Sequence, residues 1–340
     1  MIKRILTALI TVVYLLPIFS AELNIYTSRH YDSDDVLYAE FTKRTGIKVN
    51  VISGNGSALL ERLKSEGSNS PADLFFTVDA GNLWKIQKEG YFQSITSNKV
   101  TSIVPKNLIG PNNEWVAIAK RARVAFYNPK KVTLEEVENL SYLDLERDEW
   151  KGRVVIRSSN NIYNQSLVAS LIANYGIERT ESWARNFVSN FSRKPQGNDR
   201  AQIMAVAKGQ ADIAIANSYY YGLMLSGLKG EEQKEAAENV TMLFPSQKEE
   251  GVHINISGLG VLKSAKNLDN AHKFIEFLLT DEFQEHMVFN SFEYPISKSV
   301  SPHPLIEGAG LNFKEDQISV TNYGKFNSEA VKLMDRVGWK

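Results

Sequence analysis

The sequence predicts an α/β fold: a two-lobed clamshell, each lobe an open, mixed, mainly parallel sheet flanked by helices. Three observations predict it. Short apolar runs alternate with helical stretches along 340 residues, the pattern of βαβ units. A chain of this length usually splits into two domains or forms one large α/β unit. Two stretches, near 127–131 and near 250–256, read as crossings between lobes, leaving a crevice that closes by hinge motion.

Taken in order, Leu23-Asn24-Ile25-Tyr26-Thr27 alternates as a first strand. A polar loop from Ser28 to Asp32 follows, and Asp34-Asp35 opens a helix that ends near Gly46, its acids suited to the positive helix start. Ile47 to Ile52 is a second strand, and Ser57 is placed to cap the next helix. Ala72 to Thr77 is a third strand, with Asp79 as the cap of the helix beyond it. Trp115–Ala119 and Val124–Asn128 read as two apolar runs with the basic turn Lys120–Arg123 between them.

Gly152 to Ile156 starts a fresh strand, and a long amphipathic segment continues from Leu167. Thr180 to Phe191 is a helix, and Asn198 or Asp199 caps another. Ala211 to Ala216 is a buried strand running into Asn217-Ser218-Tyr219-Tyr220-Tyr221-Gly222, where Asn217 or Ser218 can cap a helix. Met224 to Val240 reads as a charged helix, Asn270 to Phe289 as one amphipathic helix, and Asn327 to Val337 as a tail helix on the second lobe. The expected division is 21–128 plus about 253–300 for the first lobe, and about 129–252 plus 301–340 for the second.

Met1–Ser20 reads as an export signal, with Lys3 and Arg4 before an apolar run short for a membrane span. Its removal takes away two positive charges and leaves 37 basic against 39 acidic residues, from 39 of each in the whole chain. That balance argues against a general nucleic-acid binder. The absence of cysteine excludes disulfides, thiolate metal sites, cysteine nucleophiles and a lipid-modified cysteine anchor. A periplasmic location fits these features.

Three adjacent phenols on the first turn of a helix cannot all face a core, because successive residues are about 100° apart. Ligands of open α/β sheets gather outside the carboxyl ends of the strands. Tyr31, Tyr163, Tyr219 and Tyr220 all stand in strand-following positions. A phenol with its ordinary pKa of about 10 is a poor ligand, but a trivalent cation favours the phenolate. Hard oxygen donors suit a hard ion and disfavour copper(I) or zinc, which points to Fe³⁺. Four phenolates and Fe³⁺ leave one negative charge. Arg29, Arg157 and Arg200 are candidates to offset it, and Ser158, Ser159 and Asn161 could orient ligands. His30 is the one histidine in a candidate site loop. Against this stands the ordinary reading, in which tyrosines pack cores and interfaces.

Several stretches resemble the periplasmic ferric-iron-binding proteins of ABC-type uptake systems, above all the cyanobacterial iron-uptake branch. They are Tyr26-Thr27-Ser28-Arg29-His30-Tyr31, Ala72–Phe76 with Asp79-Ala80-Gly81, and Ala122-Arg123-Val124 with Tyr127-Asn128. Arg157–Asn160 with Tyr163–Ser166, and Gly209 to Gly222, complete the set. The resemblance spans essentially the whole mature chain. It implies a type II periplasmic-binding fold and Fe³⁺ held by Tyr31, Tyr163, Tyr219 and Tyr220, with His30 an accessory ligand or neighbour. It further implies docking on an inner-membrane permease. The bacterial ferric-binding branch has a glutamate ligand just after the third strand; here Val78 stands about there, so an all-tyrosine shell is expected.

Alternatives in the same fold are a binding protein for sulfate, phosphate, thiamine or a polyamine, or an iron-sequestering protein without transport. An anion site would use helix-start amides with Arg157-Ser158-Ser159. No hydrolase elbow, paired carboxylates or cofactor lysine marks an enzyme. A monomer is expected by analogy.

Overall fold

Nine strands build one continuous mixed sheet in the computed structural model, which describes residues 21–29, 31, 33–307 and 313–340. The strands are β1 Glu22–Thr27, β2 Lys48–Ser53, β3 Leu74–Val78, β4 Phe92–Gln93, β5 Trp115–Tyr127, β6 Val154–Val155, β7 Ile213–Asn217, β8 Thr241–Leu243 and β9 Ile254–Leu262. Their order is β2-β1-β3-β9-β5-β7-β6, with β4 paired to β9 and β8 to β5. The expected signal segment, 1–20, lies outside the described residues.

Parallel pairing joins β1 to β2, β1 to β3 and β6 to β7. These are the units whose strands are separated by helices, as parallel crossovers require. Every pairing made by β5 or β9 is antiparallel. Parallel pairs are thus confined to the outer parts of each lobe.

β5 and β9 are the long crossing strands that carry the chain between lobes. They pair from Trp115↔Gly260 to Ala122↔Ile254, with a register shift between Ala117 and Ala119. Such a shift bends a strand and turns its later side chains to a new face. Two buried cores meet along this pair. One holds Leu23 to Ala119 and resumes at Ile256; the other starts at Ala122 and includes Ile254. The cores therefore exchange in mid-strand, whereas Val124 to Tyr127 and Val132 already belong to the second core.

The basic stretch read as a turn between two strands is the middle of β5. No Gly or Pro interrupts it, and Arg121 and Arg123 are each 1 % exposed. Period two puts both on one face of the strand. β9 lies so close that a Cβ on Gly258 would meet the Val116 carbonyl oxygen at 2.6 Å.

Other local outcomes follow from side-chain chemistry. Asn55, not Ser57, caps the helix Gly56–Glu66, its side chain accepting from the Ser57 amide. The expected helix Asn270–Phe289 is two helices, Leu268–Leu278 and Asp281–Ser291, separated around Thr280. The expected helix from Met224 to Val240 stops at Leu225 and restarts at Glu231, because Gly227 and Gly230 take positive φ values that break it. The tail helix Asn327–Arg336 buries Ala330, Leu333 and Met334 in the second core, followed by Trp339.

Candidate metal centre

The tyrosines hang from three chain segments that converge where the lobes meet. Tyr31 belongs to the loop after β1. Tyr163 is on the first turn of the helix Ile162–Tyr175, whose start Asn161 caps by accepting from the Tyr163 amide. Tyr219 and Tyr220 open the helix Ser218–Leu225 directly after β7. Asn217 holds the cap position but makes no side-chain cap bond; its Oδ1 accepts from Arg123 instead.

The phenols are close. Tyr163 Oη and Tyr219 Oη are 3.5 Å apart. The Tyr31 and Tyr219 rings meet edge to face at 6.3 Å between centroids, and the Tyr219 and Tyr220 rings lie 4.1 Å apart, tilted by 32°. Tyr31 comes from the first lobe and the others from the second, so this group spans the interlobe gap. The Tyr31 ring is partly exposed while its hydroxyl is buried. His30 lies outside the described residues.

Burial pushes the Tyr31 phenol well above its usual pKa; Glu293 adds to this, and Arg121 and Arg29 oppose it. Burial likewise raises Tyr219, helped by Tyr163, Tyr220 and Tyr31 and opposed by Arg121. Tyr220 is raised by burial and by its neighbours Tyr163 and Asp199. Without a metal, Tyr31, Tyr219 and Tyr220 therefore hold their protons.

Guanidinium groups surround them. Arg29 lies 4.5 Å from the Tyr31 ring centroid and is locked by Asp34 at 2.8 Å and Glu293 at 3.2 Å. Arg157 sits 5.5 Å from the Tyr163 ring centroid and pairs with Asp199 at 2.5 Å. Arg200 does not join them: it donates to Gln233 on the neighbouring helix Glu231–Glu238. Ser158 makes a local turn, its Oγ accepting from the Asn160 amide and its carbonyl from Asn164.

Four groups that sequence reasoning missed complete the surroundings. Arg121 lies 5.6 Å from the Tyr219 ring centroid and 5.9 Å from that of Tyr163. It pairs with Glu293 at 3.3 Å and donates to Ser257 Oγ and the Ile256 carbonyl, while its Nε and Nη1 have no hydrogen-bond partner. Burial alone would disfavour its charge, but the Glu293 carboxylate outweighs this and holds its proton on. Burial pushes the Glu293 carboxyl up, yet Arg29 and Arg121 outweigh this and hold it below the usual range. Arg123 donates to Asp199, to Asn164 beside Tyr163, and to Asn217 before Tyr219. Asp199 also accepts from the Asn217 amide at 2.9 Å. The Arg123–Asp199 pair thus fixes the starts of both tyrosine-bearing helices. The available signal was two arginines at period two inside an apolar run, which fits a strand better than a turn.

The guanidiniums of Arg29, Arg121, Arg123 and Arg157 are paired with the buried carboxylates Asp34, Asp199 and Glu293, and a fourth buried carboxylate, Asp79, feels the charge of Arg121. Val78, where the resemblance would place a glutamate, is buried and borders a cavity of about 680 Å³ that Arg29, Tyr31 and Asn82 also line. Among the described residues no group of three or more His, Cys, Asp or Glu side chains is arranged to hold a metal.

Residues 69–321 match the family described as bacterial extracellular solute-binding protein. The chain belongs to that family. Within it, the chain is 48 % identical over 319 residues to iron uptake protein A1 of Synechocystis sp., covering 94 % of this chain and 88 % of the relative. It is 26 % identical over 323 residues to the major ferric iron-binding protein of Neisseria meningitidis, covering 94 % of each. A Trichodesmium structure (IdiA, FutA), in complex with iron and citrate ligands, superposes with a TM-score of 0.90 at 50 % identity, covering 94 % of this chain and all of that one. These similarities assign the chain to the cyanobacterial iron-uptake branch of the ferric-iron-binding proteins, with their two-lobed α/β fold.

Proposed function

We propose that the chain is a periplasmic carrier that binds Fe³⁺ between its lobes through Tyr31, Tyr163, Tyr219 and Tyr220 and delivers it to an ABC-type permease. The observation that carries this reading is the convergence of four phenols from both lobes beside the guanidiniums of Arg29, Arg121 and Arg157. Four phenolates on Fe³⁺ carry one negative charge, which guanidiniums beside the phenols stabilise. The 3.5 Å between Tyr163 Oη and Tyr219 Oη is within the ~4 Å that two oxygens on one ion can span at metal–oxygen distances of ~2 Å.

Arg29, Arg121 and Arg157 favour the phenolates by proximity, and Arg123 with Asp199 sets where two of the ligand helices begin. His30 is assigned beside Tyr31 as an accessory ligand or neighbour. Lobe boundaries belong at the core exchange, near 119–122 and 254–256, so that the loaded ion lies beside the hinge strands. The named relatives are iron-uptake and ferric-binding proteins, which supports a carrier over a catalyst.

The test is metal content and the visible spectrum of protein purified from its native compartment, beside Tyr219→Phe. One iron per chain, with a tyrosinate charge-transfer band that weakens in the variant, is expected. Colourless protein without iron, or a band indifferent to Tyr219, would sink the assignment.

A further inference from the structure

A groove of about 370 Å³ runs between the helices Asp34–Thr45 and Asp281–Ser291. Phe283 is buried at its base, but Val36 and Phe289 stand 57 % and 56 % exposed on its walls. The remaining lining is Glu40, Glu282, Glu285 and His286, with no lysine or arginine. Arg44 pairs with Glu40 and Glu282. Glu285 has no ion pair among the described residues, and exposed Asp35 adjoins Val36. Apolar side chains gathered on one groove and rimmed by polar groups suit an interaction surface.

Both walls run into the tyrosine site. The Asp34 amide at the start of one donates to the Tyr31 carbonyl at 3.0 Å, and the Asp34 carboxylate holds Arg29. The other ends two residues before Glu293, the partner of Arg29 and Arg121. His286 Nε2 lies 3.2 Å from the Ser33 carbonyl oxygen and ties one wall to the other.

We propose that this groove is the docking surface for the permease. It receives a periplasmic loop that offers an apolar side chain to Val36 and Phe289, flanked by lysine or arginine facing Glu285 and Asp35. This rests on the carrier reading above. The ends of the walls bond to residues of the tyrosine site, Asp34 to Tyr31 and Arg29 and Ser291 to Glu293; a loop that binds loaded and empty protein unequally would change the grip on iron by the same factor.

The experiment supplies purified, iron-loaded protein to membrane vesicles from the source cells and reads iron uptake and co-sedimentation. Wild type is compared with Phe289→Ala and Glu285→Lys, and with Leu134→Ala and Leu228→Ala, which remove exposed apolar groups elsewhere. Iron loading is first checked by the visible band. Both groove variants should load normally yet need about tenfold more protein for half-maximal uptake. The Leu variants should match wild type. Groove variants that dock and deliver like wild type would overturn the proposal. So would a groove occupied by a second copy of the chain, seen as a dimer that Phe289→Ala abolishes. A wild type that loads no iron would instead overturn the carrier reading on which this rests.

Discussion

Arg121 occupies the least replaceable position among the charged side chains. It is buried, its charge is held by Glu293, and two of its nitrogens have no hydrogen-bond partner among the described residues. Arg121→Gln keeps much of the shape and removes the charge. An opposite charge within ~4–6 Å lowers an acid's pKa by about 1–3 units. The variant should therefore release iron at a pH about one unit higher than wild type, read by titrating the visible band. The sign follows from competition: each phenolate that binds iron has lost a proton, so acid favours release, and losing a nearby cation makes the proton a stronger rival. Equal release curves would show that Arg121 serves only Glu293. The variant should also be less stable, because Glu293 would keep only Arg29; breaking a buried pair costs about 3–5 kcal/mol.

The crossing strands set the properties of the next scale. β9 begins at the point where the cores exchange, and His253 just before it is buried with Nδ1 3.0 Å from Ser170 Oγ and its ring against Tyr323. Burial, aided by Arg123, pushes its pKa down to about 3. The unfolded chain takes up this proton near pH ~6.5, so stability is lost as pH falls from there toward the folded value. The slope is at most ~1.4 kcal/mol per pH unit. In urea melts of metal-free protein, His253→Gln should show a shallower loss between pH 6.5 and 4; identical slopes would exclude the histidine as a source. Gly258 has a different constraint. An added Cβ meets the Val116 carbonyl oxygen and, at 2.9 Å, Leu83 Cδ1. Gly258→Ala should therefore cost about 1–3 kcal/mol, seen as a lowered melting temperature. An unchanged melting temperature would mean that the two strands part more easily than their packing implies.

At the scale of the molecule, two of the contacts between the lobes lie at different depths. The Tyr31 and Tyr219 rings meet across the gap. Deeper, Asp79 accepts from Ser166 Oγ at 2.9 Å and from Asn255 Nδ2 at 2.8 Å while capping its own helix through the Gly81 amide. Asp79 thus joins the first lobe, the second lobe and a crossing strand. With iron absent, the buried phenols and the spare Arg121 donors would gain water if the lobes parted; iron binding removes that incentive. Small-angle scattering should give a smaller radius of gyration for loaded than for metal-free protein, with the loaded profile fitting the arrangement described here. Equal radii would mean that closure does not depend on the metal.

The sequence by itself determined the alternation of strands and helices, the two-lobed α/β class, and a set of tyrosines placed after strands. These are local matters: period-two and helical apolar patterns and strand ends are written in neighbouring residues. It also pointed to Arg29 and Arg157, each adjacent in sequence to a site loop. Only the tertiary structure decided that Lys120–Arg123 is the middle of a 13-residue strand, that Arg121 and Glu293 share a buried ion pair behind the phenols, and that Arg200 turns away to Gln233. The physical reason is that charge pairing acts through space. Glu293 is 264 positions from Arg29 in the chain, and nothing local in either residue says that folding will bring the two within hydrogen-bonding distance.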